Sequence, residues 1–213
     1  MIDKGKIKAL IFDFDLTLVD SKEVSRKSRQ GLHEKHGISF GNIPESELWG
    51  VTFKINSFRA KEISETTLSA EEIEELLIND SLKYYKDIRL EAHELLREWQ
   101  DRGLKLCIVS GNTKGTIEDV LSNQYNRDIK FSAIYETNSG HTKASRILEC
   151  ITNLGIDKSE AVYIGDHTND ILAAKEADIA SCAVTTGFET REALSLLKPD
   201  IIIDKLEELK KYL

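Results

Sequence analysis

The run Ile7-Lys8-Ala9-Leu10-Ile11-Phe12-Asp13-Phe14-Asp15-Leu16-Thr17 constrains the fold of this chain more than any other segment. A short apolar stretch rich in Ile, Leu and Phe reads as a parallel strand buried on both faces. It ends in two carboxylates spaced two apart and a hydroxyl, and in open α/β sheets ligands bind beyond the carboxyl ends of the strands. Asp13 and Asp15 are therefore candidate functional residues. If strand geometry continues through them, their side chains share a face and could hold a divalent cation between them. Taken alone, the pair reads equally as turn and helix-capping acids.

The rest of the chain supplies the sheet such a strand needs. Helical patterns at 91–102, near 116–123, at about 143–154, at 171–176 and at 189–197 alternate with apolar runs. Those runs fall at 104–109, 131–135, 161–164, 180–184 and 200–203. The alternation predicts an α/β fold, a doubly wound, mostly parallel sheet of Rossmann-like type. Residues from about 22 to 87 hold no strong strand and read as almost entirely helical behind the capping types Asp20 and Ser21. Ser69 and Glu72 form a capping box there, with Ile73, Leu76, Leu77, Tyr84 and Ile88 at helical spacing behind it. The expected organisation is a core made of residues 1–19 and 88–213, with a helical cap at 20–87 inserted after the first strand.

A chain of 213 residues can bury a substantial core. Cys107, Cys150 and Cys182 are odd in number and widely spaced, which predicts reduced core thiols rather than a disulfide framework or a metal site. Met1 leads through charged residues into the first strand without an apolar signal segment, and no run approaches membrane-spanning length. A soluble cytoplasmic protein without a membrane partner is expected. The net charge of −8 argues against nucleic acid as a partner, since its phosphates are met by a basic face. Acidic runs such as Glu71, Glu72, Glu74 and Glu75 read as a solvated helix face, and an anionic substrate would need a metal or placed Lys and Arg. His33 and His36 lack a third ligand and read as surface residues rather than a zinc pair. The Gly111 to Thr116 stretch lacks the Gly-Lys-Ser/Thr ending of an ATPase phosphate loop.

Other strand ends carry chemistry too. Ser110-Gly111-Asn112 follows the second strand, Gly165-Asp166-His167-Thr168-Asn169-Asp170 follows a later one, and Lys143 opens a helix between them. Each alone reads as a turn, a cap or a surface charge. Together they describe a phosphate site around a hard metal, with carboxylate oxygens for Mg²⁺ and hydroxyl, amide and ammonium groups for phosphoryl oxygens.

In this order the motifs resemble those of the haloacid dehalogenase superfamily: the D-x-D-x-T run at Asp13, Ser110, the lysine, and the Gly-Asp-x-x-x-Asp run. Thr186-Gly187-Phe188-Glu189 and Lys198-Pro199-Asp200-Ile201-Ile202-Ile203 look like the tail of its phosphoglycolate phosphatase-like branch, and the helical insert matches that branch's cap. The resemblance implies that Asp13 attacks phosphorus to form an aspartyl phosphate, while Asp15 protonates the leaving oxygen and then activates water. It implies Mg²⁺ held by Asp13, the Asp15 backbone carbonyl and Asp166, with Thr17 and Asp170 in support and Ser110, Gly111, Asn112 and Lys143 on the phosphate. Two departures stand out. Leu16 occupies a position where the branch has Gly, and the lysine segment Gly140-His141-Thr142-Lys143-Ala144-Ser145 lacks the usual prolines, leaving Lys143 or His141 for the lysine's role.

The expected activity is Mg²⁺-dependent hydrolysis of a small phosphorylated metabolite, phosphoglycolate-like or a sugar phosphate. The alternatives are a phosphosugar mutase on the same core and a catalytically silent metabolite-binding module. The second acid, Asp15, argues against a dehalogenase. Selectivity is expected from the insert, where Lys54, Arg59 and Lys61 stand among Val51, Phe53, Ile55 and Phe58.

Overall fold

The computed structural model describes residues 5–49, 51–137 and 140–213. Residues 1–4 of the expected core and Gly50 of the expected cap lie outside them. Strand β1 (Ala9–Phe12) is fully buried, as an apolar run flanked on both sides must be. It pairs in parallel with β2 (Lys105–Ser110) on one side and β4 (Ala161–Gly165) on the other. β3 (Ala133–Glu136), β5 (Ala180–Val184) and β6 (Ile201–Ile203) complete a parallel sheet of order β3-β2-β1-β4-β5-β6. The order reverses at β1, so a crevice opens beyond the ends of β1, β2 and β4.

Strand alternation divides the core in two. Leu10, Phe12, Leu106 and Ile108 pack on one face with Trp99 of α5 (His93–Asp101) and Ile117 and Val120 of α6 (Lys114–Ser122). Ala9, Ile11, Cys107, Val109 and Tyr163 face α7 (Lys143–Leu154) and α8 (Thr168–Ala177). Helix α9 (Arg191–Leu196) precedes β6, and a short 3-10 helix at Leu206–Lys211, absent from the sequence reading, follows it. The three cysteines are buried and free. Among the described residues no helix is long and apolar enough to cross a membrane.

The segment after β1 is helical: α1 (Lys22–His36), α2 (Glu45–Leu48), α3 (Phe53–Ile63) and α4 (Ala70–Tyr85). It is less continuous than expected, with irregular chain at 37–44 and 64–69. Leu32, Ile38, Phe40, Leu48, Ala60, Ile73 and Leu77 give it an apolar core of its own, so the insert is a cap subdomain. The Ser69 and Glu72 capping box is present at α4. Ser21 is the N-cap of α1, but its side chain makes no capping hydrogen bond; it is buried instead beside Asp15. His33 and His36 are exposed, as expected of surface residues.

Candidate active site

Four chain segments meet beyond the sheet. β1 ends at Phe12, and the Asp13 amide still donates to the Ile164 carbonyl at 2.8 Å, which ties that acid to β4. The chain then turns out of the sheet. Leu16 adopts a left-handed φ of 57°, its amide donates to the Val19 carbonyl at 2.8 Å, and its carbonyl accepts from the Thr186 hydroxyl. A left-handed leucine costs about 1–2 kcal/mol, which burial of its side chain offsets by a similar amount. The position where the branch carries Gly is thus one that needs a positive φ.

This turn separates the two acids. Asp13 groups with Asp166 and Asp170, one oxygen from each lying within 4.8 Å of the others. The Asp15 carboxylate lies outside that group and accepts from Tyr85 Oη at 2.5 Å and from Asn112 Nδ2 at 2.9 Å. The Asp15 side chain is therefore not one of the clustered acid oxygens: strand geometry stops before it, and its carboxylate turns to Tyr85 and Asn112. Tyr85, the last residue of α4, was invisible to motif reasoning; the helical spacing picked out its neighbour Tyr84 instead.

Asp166 follows β4 and accepts from the Thr17 hydroxyl at 2.9 Å. Asp170 sits in the first turn of α8, where its Oδ2 accepts from the His167 amide at 2.9 Å. Its Oδ1 accepts from Lys143 Nζ at 2.5 Å, and the same ammonium stands 3.4 Å from Asp13 Oδ2. Lys143 opens α7 behind the N-cap Thr142. His141 lines the adjoining cavity but is exposed. Ser110 ends β2, with its hydroxyl accepting from the Asn112 amide at 3.2 Å; both residues are buried. Two glycines give the acids their room. A Cβ on Gly165 would stand 2.3 Å from the Asp170 carboxyl carbon, and one on Gly187 would stand 2.0 Å from Asp166 Oδ2. Gly187 belongs to the Thr186-Gly187-Phe188-Glu189 segment, which the sequence reading left without a role.

Burial dominates the electrostatics. It lifts Asp13 to about 6, with Lys143 pulling down and Asp170 and Asp15 pushing further up. It lifts Asp166 well above the ordinary carboxylate range, helped by Asp170 and Asp13. Asp15 is also raised by burial, against the hydrogen bonds it accepts from Tyr85 and Asn112. Burial disfavours the Lys143 ammonium, but Asp13 and Asp170 outweigh it and keep the lysine charged. Asp13 Oδ1 is buried without a hydrogen-bond partner. Crowded carboxylates, an orphaned oxygen and an all-oxygen donor set fit a hard divalent cation.

The haloacid dehalogenase-like hydrolase family matches residues 10–184. The chain belongs to that family. It is 28% identical over 209 residues to a phosphoglycolate phosphatase of Synechococcus elongatus, covering 95% of each chain. It is 26% identical over 216 residues to the pyrophosphatase PpaX of Listeria innocua, covering 96% of this chain and 95% of that one. Among solved structures, a haloacid dehalogenase-like family hydrolase from Streptococcus pneumoniae superimposes with a TM-score of 0.77 at 24% identity, over 98% of this chain and 99% of that one. CbbY from Rhodobacter sphaeroides, in complex with phosphate, superimposes with a TM-score of 0.80 at 19% identity, over 95% and 96%. Family, fold and acid cluster make the chain an enzyme, a phosphoric monoester hydrolase of the phosphoglycolate-phosphatase-like branch.

Proposed function

We propose that the chain hydrolyses the phosphate ester of a small metabolite through an aspartyl phosphate on Asp13. The observation that carries this reading is the position of Asp13: buried, tied to β4 through its amide, and 3.4 Å from the Lys143 ammonium. Attack by an Asp13 oxygen forms the new P–O bond as the ester P–O bond breaks, and Asp15 gives its proton to the departing oxygen. Asp15 then takes a proton from water, whose oxygen attacks phosphorus and returns Asp13 as a carboxylate with release of inorganic phosphate. The burial that raises Asp15 favours the protonated form that the first half needs.

Ser110, the amides at Gly111 and Asn112, and Lys143 are assigned to the phosphoryl oxygens, which they would bind and orient. Lys143 takes this role rather than His141, since it alone of the two is in contact with Asp13 and Asp170. Asp13, Asp166 and the Asp15 backbone carbonyl would hold Mg²⁺, with Asp170 and Thr17 in support. When bound, the cation would neutralise the clustered acids and the incoming phosphate. The three free, buried thiols fit a reducing compartment, and we place the enzyme in the cytoplasm. The fold organisation supports the boundaries 1–19 and 88–213 for the core and 20–87 for the cap.

The curated relatives include a phosphoglycolate phosphatase and pyrophosphatases, and we keep phosphoglycolate-like and sugar phosphates as the first substrate classes to test. The test is release of inorganic phosphate from p-nitrophenyl phosphate and a metabolite panel, with and without Mg²⁺. Mg²⁺-dependent release supports the reading; retention of the phosphoryl group on a sugar would favour a mutase, and no turnover of any ester would leave a binding module.

A further inference from the structure

The cavity in front of Asp13 and Asp15 measures about 650 Å³. That is the size of pockets that enclose drug-sized ligands, and far more than a two-carbon acid phosphate fills. Beyond the acids its walls are mainly apolar: Trp49, Val51, Phe53 and Ile55 from the cap, Leu172 and Ala173 from α8 of the core. Ile55 is 43% exposed and Leu172 50% exposed, so both cap and core leave a large apolar side chain open along this cavity. Apolar surface of this kind within a groove marks a site that another apolar body covers.

The charges around the cavity point the same way. Arg29 lines it, but its guanidinium is engaged by Glu45 Oε1 at 2.5 Å and by the Ser25 hydroxyl at 2.5 Å. The other Glu45 oxygen accepts from Trp49 Nε1 at 3.2 Å. Lys54 lines the cavity in the field of Glu71 and Glu74, and Glu176 adds an exposed acid to the wall. Arg59 and Lys61, part of the cap stretch singled out in the sequence for selectivity, donate to the carbonyls of Glu47 and Thr66 and lie outside the cavity lining. Among the described lining residues, the cap's Arg29 is paired with Glu45, and its Lys54 lies in the field of Glu71 and Glu74. A second acid group on the substrate would lose its hydration against apolar walls while meeting cations whose charge nearby acids partly offset.

Building on the phosphatase reading, we infer that the preferred leaving group is an uncharged alcohol with a bulky apolar body, seated between residues 51–55 of the cap and Leu172. The phosphoryl group remains on Asp13, and the departing oxygen takes the Asp15 proton, so the product is a neutral alcohol. Filling the apolar walls tightens binding with each added carbon, whereas a carboxylate at the same place weakens it.

The experiment measures kcat/KM for phosphate release from ethyl, butyl, hexyl and benzyl phosphate, and from phosphoglycolate and pyrophosphate, with the Mg²⁺-loaded enzyme. The simple esters release alcohols of similar acidity, so their series reads binding of the organic body. We expect kcat/KM to rise at least tenfold from ethyl to benzyl phosphate, with benzyl phosphate exceeding phosphoglycolate and pyrophosphate. Leu172→Ser and Ile55→Ser, at half-exposed positions whose replacement spares the core, should pull the benzyl-to-ethyl ratio toward one; Phe53→Ala should pull it further. A flat series, a preference for phosphoglycolate or pyrophosphate, or an unchanged ratio in all three variants would overturn the inference. Phosphate release from none of the esters would instead overturn the phosphatase reading, and the inference with it.

Discussion

Tyr85 Oη stands 2.5 Å from Asp15 Oδ1, and Asn112 Nδ2 reaches both groups, at 2.9 Å to Asp15 Oδ2 and 3.1 Å to Tyr85 Oη. The last residue of the cap's longest helix thus holds the candidate general acid of the core. The tyrosine is buried and its own ionisation is pushed well above 10, by burial first and by the Asp15 charge second, so it acts as a donor. Because that donation pulls Asp15 downward, its removal has a signature in pH as well as in rate.

Tyr85→Phe should therefore move the Asp15-dependent limb of the pH–kcat/KM profile upward and lower kcat about tenfold, while leaving the fold intact. A merely packing role would be preserved by Phe, which keeps the ring that lies 6.2 Å from Phe14. An unshifted limb in Tyr85→Phe would remove the residue from the acid's positioning.

Asp13→Asn should abolish turnover, by a thousandfold or more, because the amide is nearly isosteric but is a far poorer nucleophile. Asp15→Asn should be severe as well, since leaving-group protonation and water activation both fail. Far-ultraviolet circular dichroism checks the fold and phosphate release checks the rate; near-native release from Asp13→Asn would disqualify it as nucleophile.

Gly187→Ala tests the site from a residue with no chemistry of its own. Its new Cβ collides with the Asp166 carboxylate, so Mg²⁺ affinity should fall about as far as in Asp166→Ala. Ligands that bind only the native state raise Tm by mass action. The Mg²⁺-induced rise in Tm should shrink in both variants, and equal rises in wild type and variants at matched Mg²⁺ would count against Asp166 as a ligand.

Much of this was legible in the sequence because strand ends are where an α/β sheet displays chemistry. Asp13, Ser110 and Asp166 each follow or close an apolar run, so sequence position alone put them in one crevice. What escaped was set by geometry between distant segments. The positive φ of Leu16 sends Asp15 toward Tyr85, and no local pattern announces a turn built on leucine. Gly187 reads as a loop glycine until Asp166 is seen against it. Which cap cations reach the cavity was hidden for a related reason: Lys54, Arg59 and Lys61 stand near the same apolar residues in sequence, but carbonyls engage Arg59 and Lys61 outside the cavity lining, while Lys54 lines the cavity.

The last prediction joins the metal to stability. Burial, partly opposed by Lys143 and reinforced by Asp170 and Asp15, raises folded Asp13 from 3.8 to about 6, and Asp166 is raised in the same direction. Between those values the folded state binds more protons than the unfolded one, so the stability these acids allow is full below about pH 4 and is lost as pH rises through 6. For Asp13 alone the full loss is on the order of 3 kcal/mol, or several degrees of Tm. Carboxylates held low elsewhere, such as Asp128 at about 2 beside Arg97, pull the other way below that window. The site's share is therefore read as a difference between wild type and Asp13→Asn, which cannot ionise there. Without Mg²⁺, the Tm of wild type relative to Asp13→Asn should fall between pH 4.5 and 7.5, because only the wild type must charge Asp13 within the cluster. Added Mg²⁺ at pH 7.5 should recover that fall in the wild type and do much less for the variant. A relative Tm that is flat across the window, or unmoved by Mg²⁺, would show that the acid cluster is not strained by its own charge.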